Sequence, residues 1–368
     1  MVDGGVRSLL MTADAVGGVW TYAVDLSRAL AARGMAVTLA VIGRTSQAQR
    51  RAARGIPLVE QDFKLEWMDD PWDDVRASGE WLLEVCARVR PDAVHLNGYA
   101  HAALPWPVPA LVAGHSCVLS WYEAVRGERA PPRFDRYREE VSRGLLAARS
   151  VVAPTYAMLR ELERFYGPLR GARAIWNARD PRLFEPGFKE PIVLAAGRLW
   201  DEAKNLRAVD EAAPACPWPV YVAGDARHPD GGEACAANVR LLGPLLQDEL
   251  AVWMAHASVY ALPALYEPFG LSVLEAALSG CALVLGDITS LRELWAGTAL
   301  FVDPRDPDAL GAALRRLARD DSERERLAEL ARARARGMDL DLVAAQYLSA
   351  YRSLGAPGQR HRPAGAVA

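Results

Sequence analysis

ALYEPFGLSVLEAALSG, residues 264–280, is the stretch that decides the predicted fold. The apolar run before it, ASVYALP, indicates a buried strand, and CALVLG after it indicates another. Apolar residues recur at helical spacing from Leu271 to Leu278, and Gly280 is suited to end a helix. The pattern therefore predicts strand, loop, helix and strand, as in a parallel α/β sheet.

Two glutamates, Glu267 and Glu275, stand in this stretch, the first in the predicted loop and the second about one turn into the helix. Open parallel sheets bind ligands beyond the carboxyl ends of their strands, where both side chains are expected. Ionised carboxylates accept hydrogen bonds from neighbouring hydroxyls, and a helix start attracts anions. A sugar nucleotide fits these features. Alternatively, the glutamates only complement the helix dipole.

The composition is that of a globular protein large enough for two domains. The chain has 368 residues, of which 51% are hydrophobic and 24% charged. Its net charge of −3 gives no support for nucleic-acid binding. The five cysteines are scattered without a C-x-x-C pair, which fits a reducing compartment and argues against structural zinc. Without a secretory signal or an apolar run of membrane-spanning length, we expect a cytoplasmic protein.

The first half opens with a βαβ pattern whose first turn carries a glycine pair. RSLLMTADAVGGVWTYAVDLSRALAARGMAVTLAVIG, residues 7–43, predicts strand, glycine loop, helix and strand. Gly17 and Gly18 either let the backbone approach a ligand closely or only form a tight turn. The loop lacks G-x-G-x-x-G, which argues against a nicotinamide cofactor.

Two later segments of this half place polar residues at predicted strand ends. PDAVHLNGYA, residues 91–100, ends in polar residues, of which we interpret His95 as a hydrogen-bonded core histidine. PALVAGHSCVLSWYEAV, residues 109–125, predicts a strand and a loop and makes His115 the candidate active-site histidine. Its G-H-S resembles part of a G-x-S-x-G elbow. We discount a serine hydrolase because Val118 replaces the last glycine and no strand–turn–helix with an oxyanion glycine run accompanies the segment.

The second half restarts the pattern near residues 185–190. PIVLAAGRLWDEAKNL, residues 191–206, predicts a strand and then a turn that carries Arg198 and Lys204, which can converge on one diphosphate. Alternatively both are surface cations, or Lys204 pairs with Glu202.

No metal site is predicted. The acidic clusters MDDPWDD and DLD, residues 68–74 and 339–341, are interpreted as helix starts. The arginine-rich segment 126–149 is either a membrane-surface or acceptor-binding helix or, as we favour, a solvated helix with Arg–Glu pairs.

In combination, the segments resemble retaining glycosyltransferases of family 4, which have the GT-B fold of two facing Rossmann-like domains. AAGRLWDEAKNL is similar to the family's GR-L…K segment, and residues 241–285 are similar to its long signature around E-x7-E. GGVWTYAVDLSRALAARG, DAVHLN and VAGHS are similar to its glycine loop and to two further crevice segments. The resemblance covers about residues 8–355.

The resemblance implies an α/β GT-B fold with an interdomain crevice. Residues 1–187 would form an N-terminal, acceptor-side domain and residues 188–338 a C-terminal, nucleotide-sugar donor domain. Residues 339–355 would form a C-terminal helix packing back on the N-terminal domain, and residues 356–368 a disordered tail.

The resemblance also implies roles by position. Arg198 and Lys204 would grip the donor diphosphate, Glu267 would bind hydroxyls of the transferred sugar, and His115 would lie near its reacting carbon. The other donor-side residues would be Gly197, with Gly17 and Gly18 approaching the diphosphate from the other domain, Leu271 and Ser272 at phosphate through their N–H groups, Phe269 and Gly270 beside the sugar through theirs, Glu275 at the ribose, and Pro244 and Leu245 at the base. The acceptor-side candidates are Asn97, Tyr99 and Trp121.

The implied activity is metal-independent, retaining transfer of a hexose-type sugar from a nucleotide diphosphate donor, with UDP favoured, to a hydroxyl acceptor. The acceptor would be a glycan, a lipid-linked glycan or a small molecule. No cofactor, no nucleic-acid partner and at most peripheral membrane contact are expected. A sugar-nucleotide epimerase and a non-catalytic sugar-nucleotide-binding module stay open as alternatives.

Two departures from the family pattern concern Asn97 and the KNL turn. Asn97 stands where the family often has a second histidine, and KNL at residues 204–206 replaces the common lysine-glycine. We also expect Glu275→Ala and Lys204→Ala to reduce turnover by orders of magnitude without unfolding the protein.

Overall fold

Two parallel sheets, each covered by helices, form the protein. The computed structural model describes residues 6–227 and 235–354, so the predicted tail of residues 356–368 lies outside the described residues. The predicted α/β fold with two parallel-sheet domains is confirmed.

The first sheet has seven strands in the order β3-β2-β1-β4-β5-β6-β7, all parallel. The strands are β1 (Ser8–Asp14), β2 (Ala36–Ile42), β3 (Leu58–Gln61), β4 (Ala93–Leu96), β5 (Ala110–Ala113), β6 (Ser150–Ala153) and β7 (Arg173–Ala174). The helices are α1 (Gly18–Ala31), α2 (Gln47–Ala52), α3 (Trp72–Val89), α4 (Val118–Arg126), α5 (Asp135–Ala147) and α6 (Tyr156–Tyr166).

The second sheet has six strands in the order β10-β9-β8-β11-β12-β13, also all parallel. The strands are β8 (Glu190–Ala196), β9 (Val220–Ala223), β10 (Arg240–Gly243), β11 (Ala257–Leu262), β12 (Ala282–Gly286) and β13 (Leu300–Val302). The helices are α7 (Leu206–Ala212), α8 (Gln247–His256), α9 (Leu271–Leu278), α10 (Thr289–Trp295), α11 (Pro307–Arg319), α12 (Asp321–Arg336) and α13 (Leu340–Leu354).

The order of the strands locates one crevice in each sheet. Strand order reverses between β1 and β4 in the first sheet and between β8 and β11 in the second. The mainly apolar strands β11 and β12 are buried along their whole lengths, as expected of central strands covered on both faces. Ligands bind open parallel sheets beyond the carboxyl ends of strands at such reversals. The predicted site residues therefore fall at the two places that topology favours.

The prediction was wrong in three parts of the first domain. Residues 44–71 show no regular apolar periodicity in the sequence and so predict irregular structure, yet they contain α2 and β3, and α2 begins with a capping box between Ser46 and Gln49. The helix that apolar spacing predicts over Trp81–Val89 is longer than predicted: it begins at Trp72, within the acidic cluster interpreted as a helix start, and continues through Gly79, where a side chain would lie 3.2 Å from Leu104.

The third error concerns the segment after β5, expected to be a loop. It forms α4, so a strand–turn–helix does surround Gly114-His115-Ser116. The remaining argument against a serine hydrolase is Val118 in place of the elbow glycine.

The last helix, α13, packs on the first domain although it follows the second along the chain. Its buried side chains join the core formed by β1 and α1. The hydroxyl oxygen of Tyr351 lies 2.7 Å from Nδ1 of His95, and the hydroxyl of Tyr22 donates to the hydroxyl of Tyr347 at 2.6 Å. His95 is fully buried, so its interpretation as a hydrogen-bonded core histidine is confirmed. Across the described residues, no helix is both long and apolar enough to span a bilayer.

We expect the buried histidine to make stability depend on pH. Burial lowers the pKa of His95 to about 3, whereas an unfolded histidine titrates near 6.5. The stabilisation from the neutral ring is therefore complete above pH 6.5 and is lost as the pH falls towards 3. Relative to His95→Gln, the wild type should lose about 1 kcal/mol of unfolding free energy between pH 7 and pH 5.5, measured by urea denaturation. Parallel pH dependences in the two proteins would contradict this assignment.

Candidate functional site

The start of α9 supplies backbone donors at the end of β11. Gly270 precedes the helix with φ 87°, and a side chain there would lie 3.1 Å from Val273 Cγ2, so glycine suits both the conformation and the space. Leu271 and Ser272 are the first residues of the helix, and N–H groups at that position have no carbonyl partner within it. The predicted position of Glu275, about one turn into the helix, is confirmed.

Lys204 and Glu267 form an ion pair beside this helix. Nζ of Lys204 donates to Oε2 of Glu267 at 2.6 Å, with side chains only 17% and 13% exposed. The predicted alternative, a Lys204–Glu202 pair, is wrong because Glu202 pairs with Arg126 of the first domain at 2.5 Å. The two residues predicted to bind the diphosphate and the sugar are therefore in direct contact with each other.

The KNL turn keeps a shape that glycine commonly provides. Asn205 adopts a left-handed conformation with φ 58°, which asparagine tolerates better than most residues. Its side-chain amide donates to the carbonyls of Pro263 and Pro304 at 2.9 and 2.6 Å. These bonds hold Lys204 against the loop that follows β11.

Arg198 lies at the boundary between the two domains. Its Nη2 is 3.0 Å from Asp201, and its guanidinium packs over the ring of Trp200. A side chain on Gly17 would lie 3.3 Å from Nη1 of Arg198, and one on Gly18 would lie 3.3 Å from Leu271 Cδ1. The glycine pair is therefore a close approach between the domains as well as a turn, since Gly17 also has φ 74°.

The first domain contributes one carboxylate here that the sequence analysis missed. Asp14 ends β1, and burial raises its pKa to about 7, while the Val16 N–H and the charge of Arg198 act in the opposite direction. Its position at a strand end beside the glycine loop is the signal that could have identified it.

His115 faces the crevice as a neutral ring. Asn97 donates through Nδ2 to the Thr12 carbonyl at 2.6 Å, which leaves Oδ1 2.9 Å from His115 Nε2. Because Oδ1 can only accept, Nε2 must carry the proton and Nδ1 keeps its lone pair. Burial lowers the pKa of His115 to about 4, so the ring is uncharged at neutral pH. Asn97 thus fixes the tautomer of the histidine.

Two acceptor-side candidates make structural contacts of their own. The Tyr99 side chain is buried and donates its hydroxyl to the carbonyl of Ser116 at 2.6 Å, so it belongs to the core. Trp121 donates its Nε1 to Asp201 at 3.2 Å and so joins the two domains, and its acceptor-side role stays a prediction. Aromatic identity alone did not distinguish these structural roles from ligand contact.

The remaining donor-side residues line the ends of β8, β9 and β10. A side chain on Gly224, which the sequence analysis missed, would collide with the carbonyl of Gly197 at 1.7 Å, so the two strand ends touch. Gly224 also donates to the carbonyl of Gly243 at 2.9 Å, and Pro244 and Leu245 follow directly. Phe269 is different, because its ring is in the core and its N–H approaches Glu267 Oε1 at 3.4 Å.

Glu275 is more deeply enclosed than expected. Its Oε1 lies 2.8 Å from Nε of Arg179, whose Nη1 bonds Asp25 of α1. Burial raises the pKa of the Glu275 carboxyl, the charge of Arg179 opposes that rise, and Asp25 adds to it. Arg179 lies outside the segments quoted from the sequence, and Asp25 lies within the glycine-loop segment without having been assigned a role.

A second group of contacts joins the domains on the β12 side. Thr155 donates to the carbonyl of Pro268 at 3.0 Å, and the Tyr266 hydroxyl accepts from the Cys117 N–H at 3.0 Å. The carboxylate of Glu293 accepts from the first two N–H groups of α6 at 2.9 and 2.8 Å. The loop that carries Glu267 is therefore attached to both domains.

A cavity of about 620 Å³ lies next to this loop, between α4 and α6 of the first domain and the loops after β11, β12 and β13. Its charged lining consists of Glu123, Glu161, Glu267, Asp287, Asp303, Arg160, Arg164 and Arg305. Five carboxylates thus face three guanidinium groups. No group of three or more His, Cys, Asp or Glu side chains suited to a metal ion occurs within residues 6–227 and 235–354.

We expect Glu275→Ala to lower the free energy of unfolding by about 3 kcal/mol, because it removes one partner of a buried ion pair. This replaces the expectation that the variant keeps its stability. Urea denaturation measures the change, and Glu329→Ala, at an exposed position on α12, is the matched control with an expected change under about 0.5 kcal/mol. An unfolding curve for Glu275→Ala that overlays the wild type would be evidence against a structural role for the pair.

Known proteins match both halves of the chain. Residues 16–183 match the family described as Glycosyltransferase Family 4, and residues 190–320 match Glycosyl transferases group 1. D-inositol 3-phosphate glycosyltransferase from a Nocardioides species is 29% identical, over 93% of this chain and 86% of that protein. O-antigen chain mannosyltransferase B from Escherichia coli is 34% identical, over 51% of this chain and 44% of that protein.

Solved structures share the fold along almost the whole chain. Sucrose-phosphate synthase from Thermosynechococcus elongatus has a TM-score of 0.79 at 20% identity, covering 95% of this chain and 99% of the other. Anabaena HepE in complex with UDP-glucose has a TM-score of 0.74 at 17% identity, covering 93% and 99%. Together with the sequence relatives, these neighbours support a glycosyltransferase with the GT-B fold.

Proposed function

We propose that this GT-B glycosyltransferase is a retaining, metal-independent family 4 enzyme that moves a hexose-type sugar from a nucleoside diphosphate, with UDP favoured, to a hydroxyl acceptor. The observation that carries the proposal is the cluster of Lys204, Glu267 and Arg198 at the start of α9, opposite Gly17 and Gly18. Cations, free helix N–H groups and a carboxylate in one crevice suit a diphosphate attached to a sugar.

The diphosphate is the group that the two cations would stabilise. Breaking the bond from the sugar to the diphosphate leaves negative charge on the leaving oxygen. Arg198, Lys204 and the N–H groups at the start of α9 would offset that charge from fixed positions, which is the most effective form of electrostatic catalysis. Since two cations stand at this point, the proposed reaction requires no metal.

The sugar would be held by Glu267 and His115. The carboxylate of Glu267 accepts hydrogen bonds from sugar hydroxyls, and the Nδ1 lone pair of His115 can accept one more. A histidine whose pKa lies near 4 is a weak base at neutral pH. In the proposed step, the bond from the anomeric carbon to the diphosphate breaks and a bond to the acceptor oxygen forms on the same face. The acceptor proton passes to the leaving diphosphate oxygen.

The acceptor is proposed to be an uncharged, hydroxyl-rich molecule. The cavity beside Glu267 is lined by more carboxylates than guanidinium groups, and Arg164 is already paired with Glu123 and Glu161. Carboxylates bind hydroxyls well and repel phosphate. One of the relatives is named for an inositol phosphate acceptor, so transfer to neutral and phosphorylated polyols should be compared directly.

UDP is favoured because a neighbour of the same fold was solved in complex with UDP-glucose. A panel of UDP-, GDP- and ADP-hexoses, assayed for nucleoside diphosphate release with and without a chelator, tests the donor and the independence from metal. Release that is lost on chelation would contradict metal independence. A product with inverted anomeric configuration would rule out the retaining step.

The same panel separates the alternatives. An epimerase would change the configuration of the donor sugar without an acceptor. Donor binding with no chemical change under any condition would favour a non-catalytic module. Either result would overturn the proposed transferase reaction.

We expect Lys204→Ala to reduce kcat by about 100-fold or more, because it removes a donor aimed at the leaving oxygen. Steady-state release of nucleoside diphosphate measures the change. The matched control is Arg207→Ala, which removes a cation that is 87% exposed and paired with Glu211 just beyond the turn. The control should keep its rate, and near-normal turnover by Lys204→Ala would remove Lys204 from the site.

A further inference from the structure

Arg179 is a buried cation that no motif explains. It lies between β7 and β8, in the segment that joins the two domains, and its side chain is only 1% exposed. Nη1 bonds Asp25 on α1, and Nε lies 2.8 Å from Glu275 Oε1 on α9. One guanidinium is thus held between a helix of each domain and the segment that connects them.

This arrangement is an inefficient way to gain stability. Nε and Nη2 of Arg179 are both buried and make no hydrogen bond among the described residues, although Nε lies 2.8 Å from Glu275 Oε1 as an ion pair. Moving an ion pair out of water generally costs as much as the attraction returns, and an unsatisfied donor adds to that cost. A role beyond stability is the simplest reason for keeping this cation so close to Glu275.

The position of Glu275 makes such a role concrete. Glu275 is buried and lies about one helical turn after Leu271 and Ser272, the first residues of α9. A carboxylate in that setting tends to take up a proton, and a protonated carboxyl can no longer accept two hydrogen bonds from a diol. Since Arg179 engages Oε1, Oε2 is the oxygen left for a ligand.

We infer that Arg179 is a positioning residue for the ribose of the donor. It holds Glu275 ionised through Oε1 and turns Oε2 towards the ribose hydroxyls, while Asp25 fixes the guanidinium from the other side. This inference rests on the proposed function, because it assumes that Glu275 meets a ribose. It assigns to Arg179 no contact with the ligand.

Variants at Arg179 separate positioning from folding. Arg179→Gln removes the charge, and Arg179→Lys keeps it but cannot bridge two carboxylates as a planar fork. Arg182→Gln is the matched control, because Arg182 lies three residues along the same segment, is 86% exposed and pairs with Asp180. Thermal unfolding of each full-length variant without ligand reports folding separately from binding.

The binding experiment uses calorimetry with UDP, GDP and ADP. The diphosphate that the wild type binds most tightly is then compared with its 2′-deoxy and 3′-deoxy forms. The wild type should lose about 10-fold in affinity or more when the hydroxyl that meets Glu275 is removed. Arg179→Gln and Arg179→Lys should bind the ribose form about 10- to 100-fold more weakly and lose little more with the deoxy forms, since the two changes affect one interaction. Arg182→Gln should match the wild type.

The possible outcomes separate this inference from the proposed function. If folded Arg179→Gln or Arg179→Lys keeps the wild-type discrimination against the deoxy forms, Arg179 does not position the ribose carboxylate. Should Arg179→Gln fail to fold, the lysine variant carries the same comparison. If an Arg179 variant binds the ribose form and the deoxy forms more weakly by the same factor, its discrimination between them is that of the wild type. That result would show a purely structural role for Arg179 and overturn the inference. If the wild type binds none of the three diphosphates, the proposed function itself fails.

Discussion

The close approach of two sheets at Gly17 and Gly18 is the constraint on which the crevice depends. Side chains at these positions would lie 3.3 Å from Arg198 and from Leu271 of the other domain. The carboxyl ends of β1 and β8 can therefore face each other with backbone on one side and donors on the other. The charged side chains of the candidate site lie around this close contact between the two domains.

The charges of the crevice are paired before a ligand arrives. Lys204 holds Glu267, Arg198 holds Asp201, and Arg179 holds Glu275. Such direct pairs hold charged side chains in fixed positions, which is the condition for electrostatic preorganisation. A ligand that bound to one of these side chains would therefore replace an ion-pair partner within the protein.

Much of the fold and part of the site could be predicted from the sequence, because periodicity and strand-end position are local properties. β11, α9 and β12 follow from apolar spacing, and Lys204 and Glu267 follow from their places after strands. The predicted helix was shorter than α3 because apolar periodicity is weak before Trp81, where Gly79 stands. A side chain at Gly79 would lie 3.2 Å from Leu104, a close contact that the local sequence does not reveal.

The partners of the site residues could not be predicted in the same way. Arg179 and Asp25 are 154 positions apart, and nothing in either segment marks the other. Trp121 and Tyr99 are both aromatic and near strand ends, yet one spans the domain boundary and the other fills the core. Those differences depend on how distant segments pack, which spacing along the chain does not encode.

The return of α13 to the first domain has a consequence for biosynthesis. Val343, Ala344, Tyr347 and Tyr351 belong to a core that is otherwise formed mainly by first-domain residues between Leu9 and Ala178. Domains usually fold in the order in which they leave the ribosome. In this protein the core of the first domain is incomplete until α13 has been translated. The second domain, which precedes α13 along the chain, can therefore fold before the first domain does. We therefore expect the first domain to complete its folding after the second. A chain truncated before Leu340 would lack α13 and leave the core of the first domain incomplete.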